Sequence, residues 1–100
     1  MDLRLCFEPE GSMAIDDPRA FEQYASHYLE DFKAEFAGYI AMNEAEKKKS
    51  NLQPVWQFLI KGMTESDEAR LLDYLSRNPI NSYHAHVYEM HGPGHETKIH

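Results

Sequence analysis

The chain has a single cysteine, Cys6, in 100 residues, so no internal disulfide can staple it and the fold must rest on packing. It has no apolar run near the roughly 20 residues that span a bilayer, and its start lacks the basic residues and long apolar stretch of a secretion signal. The expectation is a cytoplasmic protein with no membrane segment. It also has no glycine-rich phosphate loop, no Cys-x-x-Cys and no nucleophile elbow, which removes common signatures of nucleotide, redox and hydrolase chemistry. With only five glycines and five prolines against 42% hydrophobic residues, the composition excludes a disordered chain or a fibre. One hundred residues are too few for two independent cores, so residues 1–100 read as one compact α+β domain.

Positive charge is scarce. Ten Lys and Arg stand against 17 Asp and Glu, a net charge of −7, and the imbalance is local. Residues 1–46 hold 11 acids and 3 bases, whereas residues 47–100 hold 6 acids and 7 bases. A negative surface repels phosphate backbones and steers association toward basic protein surfaces. Direct nucleic-acid binding is therefore not expected, and a larger protein with a basic surface is the expected partner. Asp16, Asp17, Glu22, Glu30, Asp31 and Glu35 are the candidate contacting acids. Size and charge are similar to those of small inhibitors from phages and mobile elements, such as anti-CRISPR proteins, an analogy with no shared motif. The plainer alternative is that the acidic excess only keeps a small protein in solution.

The elements follow from periodicity. Leu3, Leu5 and Phe7 alternate with Asp2, Arg4, Cys6 and Glu8, the signature of a half-buried strand over residues 1–8. Pro9 and Gly11 break it, and Gly11-Ser12-Met13 reads equally as an internal start or the remnant of a cloning junction. Asp17 before Pro18 is a helix start, with a capping carboxylate and a proline already set for the first turn. From Phe21 to Ile40 the large apolar residues recur every three or four positions, which predicts one helix over 18–48 with Lys47, Lys48 and Lys49 in its last turn. Ala34, Ala37, Gly38, Ala41 and Ala45 form a second stripe on that helix, suited to a neighbouring helix or to a homodimer seam. Residues 55–60 read as a short buried helix ended by Gly62, and Thr64 to Asp67 as a capping box opening a third helix over 65–77. Residues 82–90 favour a strand, 91–94 a turn, and 96–99 either a short strand or a fraying tail. The expected architecture is α+β in the order β-α-α-α-β, with or without a final β. In it, a long amphipathic helix and two shorter ones pack on a two- or three-stranded antiparallel sheet whose first and last main strands are neighbours.

Five of the six histidines, His84, His86, His91, His95 and His100, fall at the C-terminal end. His84 and His86 are two apart on a strand and project from one face, while His91 and His95 flank a turn that can fold back over it. Imidazoles so gathered are ligands for a divalent transition metal such as zinc or iron, with His84, His86 and His91 as the core and His95 or Glu96 completing the shell. Without a metal the same pair is simply solvated. Tyr83-His-Ala-His-Val-Tyr88 resembles the strand motif that opens the small DOPA dioxygenase-like proteins, whose histidines are associated with metal and ring-cleaving chemistry. The resemblance covers six residues. In that family most of the domain follows the motif, whereas only twelve residues follow Tyr88 here, so no activity is carried over. Cys6 has no sequence-adjacent base, and His27, Glu30 and Asp31 fit the solvated side of a helix, so neither group reads as catalytic. Two classes remain: a non-enzymatic acidic interaction protein that regulates or inhibits a larger partner, and a small metal-binding protein or metalloenzyme.

Overall fold

The computed structural model describes residues 1–10, 17–43 and 55–100. Its elements in chain order are β1 (Asp2–Pro9), α1 (Pro18–Glu35), β2 (Ile40–Asn43), β3 (Trp56–Ile60), α2 (Glu65–Arg77), β4 (Tyr83–Gly92) and β5 (His95–Lys98). The strands form one five-stranded sheet in the order β2-β3-β1-β4-β5, and every neighbouring pair is antiparallel. β3 lies between β1 and β2, and β1 lies between β3 and β4, so each helix links two strands that are split by a third. This is the connectivity of the ferredoxin-like double split β-α-β, here extended by β5.

The core forms where the apolar faces of both helices meet one face of the sheet. Leu3, Leu5 and Phe7 of β1, Phe58 and Ile60 of β3 and Val87 of β4 pack with Leu29, Phe32, Phe36, Leu71 and Leu75. Phe32 links the layers, with its ring centroid 5.8 Å from Phe7 and 5.4 Å from Phe58. Burying a side chain of this size contributes about 1.5–3 kcal/mol. The alternation in β1 that marked a strand thus also sorts its side chains, with Arg4 and Cys6 on the opposite face. Among the described residues no helix is long and apolar enough to cross a membrane.

Two helices replace the three expected from sequence, and the sheet is larger than the two or three strands expected. α1 ends at Glu35 rather than at 48, because the chain turns through Ala37 and Gly38 and enters β2. Phe36, Tyr39 and Ile40 continue the three-four spacing, but they reach the core from a cap, a turn and a strand. The small residues consequently do not form one helix face: Ala34 is on α1, Ala37 and Gly38 are in the turn, and Ala41 is in β2. Ala45 and Lys47 to Lys49, like Gly11 to Met13, lie outside the described residues.

The expected helix over 55–60 is β3. Six residues rich in aromatic and β-branched side chains suit a strand better than a helix, and pairing with β1 on one side and β2 on the other decides it. Gly62 then serves a turn, at φ +66°, where its N–H donates to the Asp2 carboxylate at 3.0 Å. α2 occupies the expected 65–77, with Thr64 as N-cap accepting from the Asp67 amide. β1 and β4 pair along eight residues, which joins the two strands read from opposite ends of the chain.

Candidate functional site

The outward side of α1 is the first surface where the charge pattern becomes geometry. Asp17 caps the helix by accepting from the Ala20 amide at 3.1 Å, and Ala25, Leu29 and Phe32 then face the core. That phase turns Glu22, Gln23, Ser26, His27, Glu30 and Asp31 to solvent. Glu22 and Glu30 have no ion-pair partner among the described residues, and with Gln23, Ser26 and His27 they line a shallow depression of about 420 Å3. Asp31 lies 3.8 Å from the His27 ring nitrogen Nε2. α1 carries four carboxylates against two cationic side chains and α2 four against two, so the helical layer holds most of the negative charge.

The six candidate acids therefore separate by role. Glu22, Glu30 and Asp31 share one exposed face. Asp17 is engaged as a cap, and Glu35 is held by Arg70 at 2.7 Å. Asp16 lies outside the described residues. Arg70 also donates to the Glu35 carbonyl and lies over the Phe36 ring at 4.4 Å, so Glu35 belongs to a joint between α1 and α2. Nothing local predicts that pairing, since the partners are 35 residues apart.

The histidines lie on another surface. His84 and His86 both project from the face of β4 that no helix covers, with ring centroids 5.8 Å apart. His84 Nδ1 is 3.5 Å from the Glu10 carboxylate, a neighbour the sequence reading missed because β1–β4 pairing alone brings it there. His91 and His95 are at the far end of the strand: seven residues at about 3.3 Å each place His91 roughly 23 Å from His84. His91 contacts the Thr97 hydroxyl at 3.1 Å, and His95 stands opposite Gly92. Glu96 is bound by Arg4 at 2.8 Å, and Arg4 also stacks over Tyr88 at 4.3 Å. Among the described residues no three His, Cys, Asp or Glu side chains gather as a metal would require.

Cys6 stands opposite His86 in the sheet register but is only 1% exposed. Its thiol donates to Glu8 at 3.3 Å, and burial, then the Glu8 carboxylate, pushes it up to about 11. At neutral pH it is a protonated thiol, not the thiolate that attacks substrates or binds metals. The stretch resembling the DOPA dioxygenase-like motif is β4 itself, with Tyr83 and Val87 buried in the core and His84, His86 and Tyr88 on the other face. No protein-family model, curated protein or solved structure matches the chain.

Proposed function

We propose that this is a non-enzymatic binding protein that docks the outer face of α1 onto a basic surface of a larger protein and so regulates or inhibits it. The observation that carries this reading is the state of Glu22 and Glu30. Several acids on the two helices are used within the fold, Asp17 as a cap and Glu35, Asp67 and Asp73 in ion pairs with arginines. Glu22 and Glu30 have no such partner among the described residues, border a common depression and stand beside Asp31 on an exposed face. A lysine or arginine from a partner supplies the missing countercharge there. Exposed charges of this kind act mainly on association rate and salt sensitivity.

The test is charge reversal. The triple variant Glu22→Lys, Glu30→Lys, Asp31→Lys should keep the circular dichroism spectrum of the parent, because all three side chains are exposed. It should lose a basic partner that the parent captures at low salt and releases as salt rises. Capture that is unchanged by the reversal, or insensitive to salt, would sink the reading.

A further inference from the structure

Both helices pack on one face of the sheet, and no described element covers the other. Because Leu5, Phe58 and Val87 point to the core, strand alternation sends Arg4 and Cys6 of β1, Leu59 of β3 and His86, Tyr88 and Met90 of β4 to this open face. Cys6 is buried and the other five are half-buried. Around them Glu8, His84, Glu96 and Lys98 are exposed. A half-buried centre containing Arg, Tyr and Met inside a charged rim has the make-up of a protein–protein interface. Arg4 is the one full charge in that centre, and it is already bound to Glu96 at 2.8 Å and stacked over Tyr88, so docking there buries no unpaired charge. The rim is polarised along the strands. Glu8 and Glu10 stand at one end, while Arg4 and Lys98 stand at the other, since Arg4 pairs with Tyr88 and Tyr88 with Lys98. Neither Glu8 nor Lys98 has an ion-pair partner among the described residues.

We propose that the open sheet face is a homodimer interface, in which two copies pack face to face about a two-fold axis running across the strands at the level of Cys6 and His86. That level is midway between Glu8 and Arg4, so the rotation lays the acidic end of each copy over the Arg4 and Lys98 end of the other. The polarity of the rim is thus self-complementary. It also favours a second copy over any arrangement through the helices, whose eight carboxylates against four cationic side chains repel their own kind. Face-to-face packing turns the two helical layers outward, as far apart as the dimer allows. The small residues from Ala34 to Ala45 supply no such seam, because the turn at Ala37 and Gly38 breaks their stripe. At about 4.8 Å between strands and 3.3 Å per residue, the sheet has a plan of roughly 500 Å2, which side-chain relief raises toward the about 800 Å2 per copy that stable interfaces bury. The outer face of α1 stays exposed in this dimer, so the interface and the proposed docking surface stand or fall independently.

The experiment is sedimentation equilibrium of the untagged full chain across the micromolar range. The parent should reach twice the chain mass. Leu59→Glu places a carboxylate in the centre of the face without touching the core and should leave a monomer with the parent's circular dichroism spectrum. Glu8→Lys and Lys98→Glu alter exposed rim residues, and each should weaken the dimer by about tenfold or more, because the two-fold axis repeats every change. Carrying both substitutions restores opposite charges across the seam and should give a tighter dimer than either alone, a result that holds the test even if Leu59→Glu fails to fold. The triple reversal of Glu22, Glu30 and Asp31 should stay dimeric. A parent that is monomeric throughout, a dimer that survives Leu59→Glu, a double variant no tighter than the single ones, or a dimer lost in the triple reversal would each overturn the proposal.

Discussion

Arg70 gathers more contacts than any other charged side chain described above. It binds the Glu35 carboxylate at 2.7 Å, reaches Asp67 at 3.4 Å and covers the Phe36 ring. It is about two-fifths exposed, so each ion pair alone contributes roughly 0–1 kcal/mol; its effect is to tie the end of α1 to the start of α2. Asp67 receives a second donor, the Tyr39 hydroxyl. That hydrogen bond is the largest cause holding the Asp67 carboxyl below its ordinary value, with Arg70 and Thr64 adding to it. A depressed carboxyl contributes stability above its unfolded-state value and loses it as pH falls through the folded one. Tyr39→Phe removes the main cause and keeps the ring, so the Asp67 carboxyl should titrate at higher pH than in the parent. Carbon-detected titration of the Asp67 side chain reads this directly, and a midpoint that stays in place would show that Arg70 and Thr64 suffice.

Elements differ in how far their own residues specify them. α2 is the self-sufficient case: Thr64 caps it, Glu65, Asp67 and Glu68 occupy its first turn, and Arg77 lies in its last, each matching the helix dipole. Thr64→Ala should therefore cost about 1 kcal/mol, measured by urea unfolding, with the N-cap contact to the Asp67 amide as the loss. A cost near zero would mean that the Asp67 contacts with Tyr39 and Arg70 fix this helix start without the cap. β2 and β3 are the opposite case. Their few residues become strands only by pairing with each other and with β1, so a short apolar run such as Trp56–Ile60 is ambiguous until its neighbours are placed.

At the scale of the molecule, β1 is the element on which the rest depends. It pairs with β3 on one side and β4 on the other, and places Leu3, Leu5 and Phe7 in the core at 1% exposure or less. A chain started at Met13 lacks it. Such a chain separates β2-β3 from β4-β5 and exposes Phe58, Val87 and Phe32 to one another's missing partner. It should therefore lack dispersed amide shifts and a cooperative thermal transition, and a cooperative melt from residues 13–100 would refute the central role given to β1. The same topology divides the surface. Both helices cover one face of the sheet and carry most of the net charge, while the other face carries Arg4, Cys6, His84, His86 and Tyr88.

The amino-acid order alone determined the features that rest on short-range chemistry. The Asp17-Pro18 start, the Thr64 cap, the alternation in β1 and β4 and the acidic bias of the first half are all set within a few neighbouring residues. Only the tertiary structure decided where α1 stops, because Phe36, Tyr39 and Ile40 keep helical spacing while meeting the core from three kinds of local geometry. It decided as well that Glu35 is paired while Glu22 and Glu30 are not, that His84 meets Glu10, and that His91 lies at the other end of the strand. The physical reason is range: caps and alternation are satisfied by adjacent residues, whereas strand pairing, ion pairing and the convergence of side chains join positions distant in sequence, which periodicity does not record.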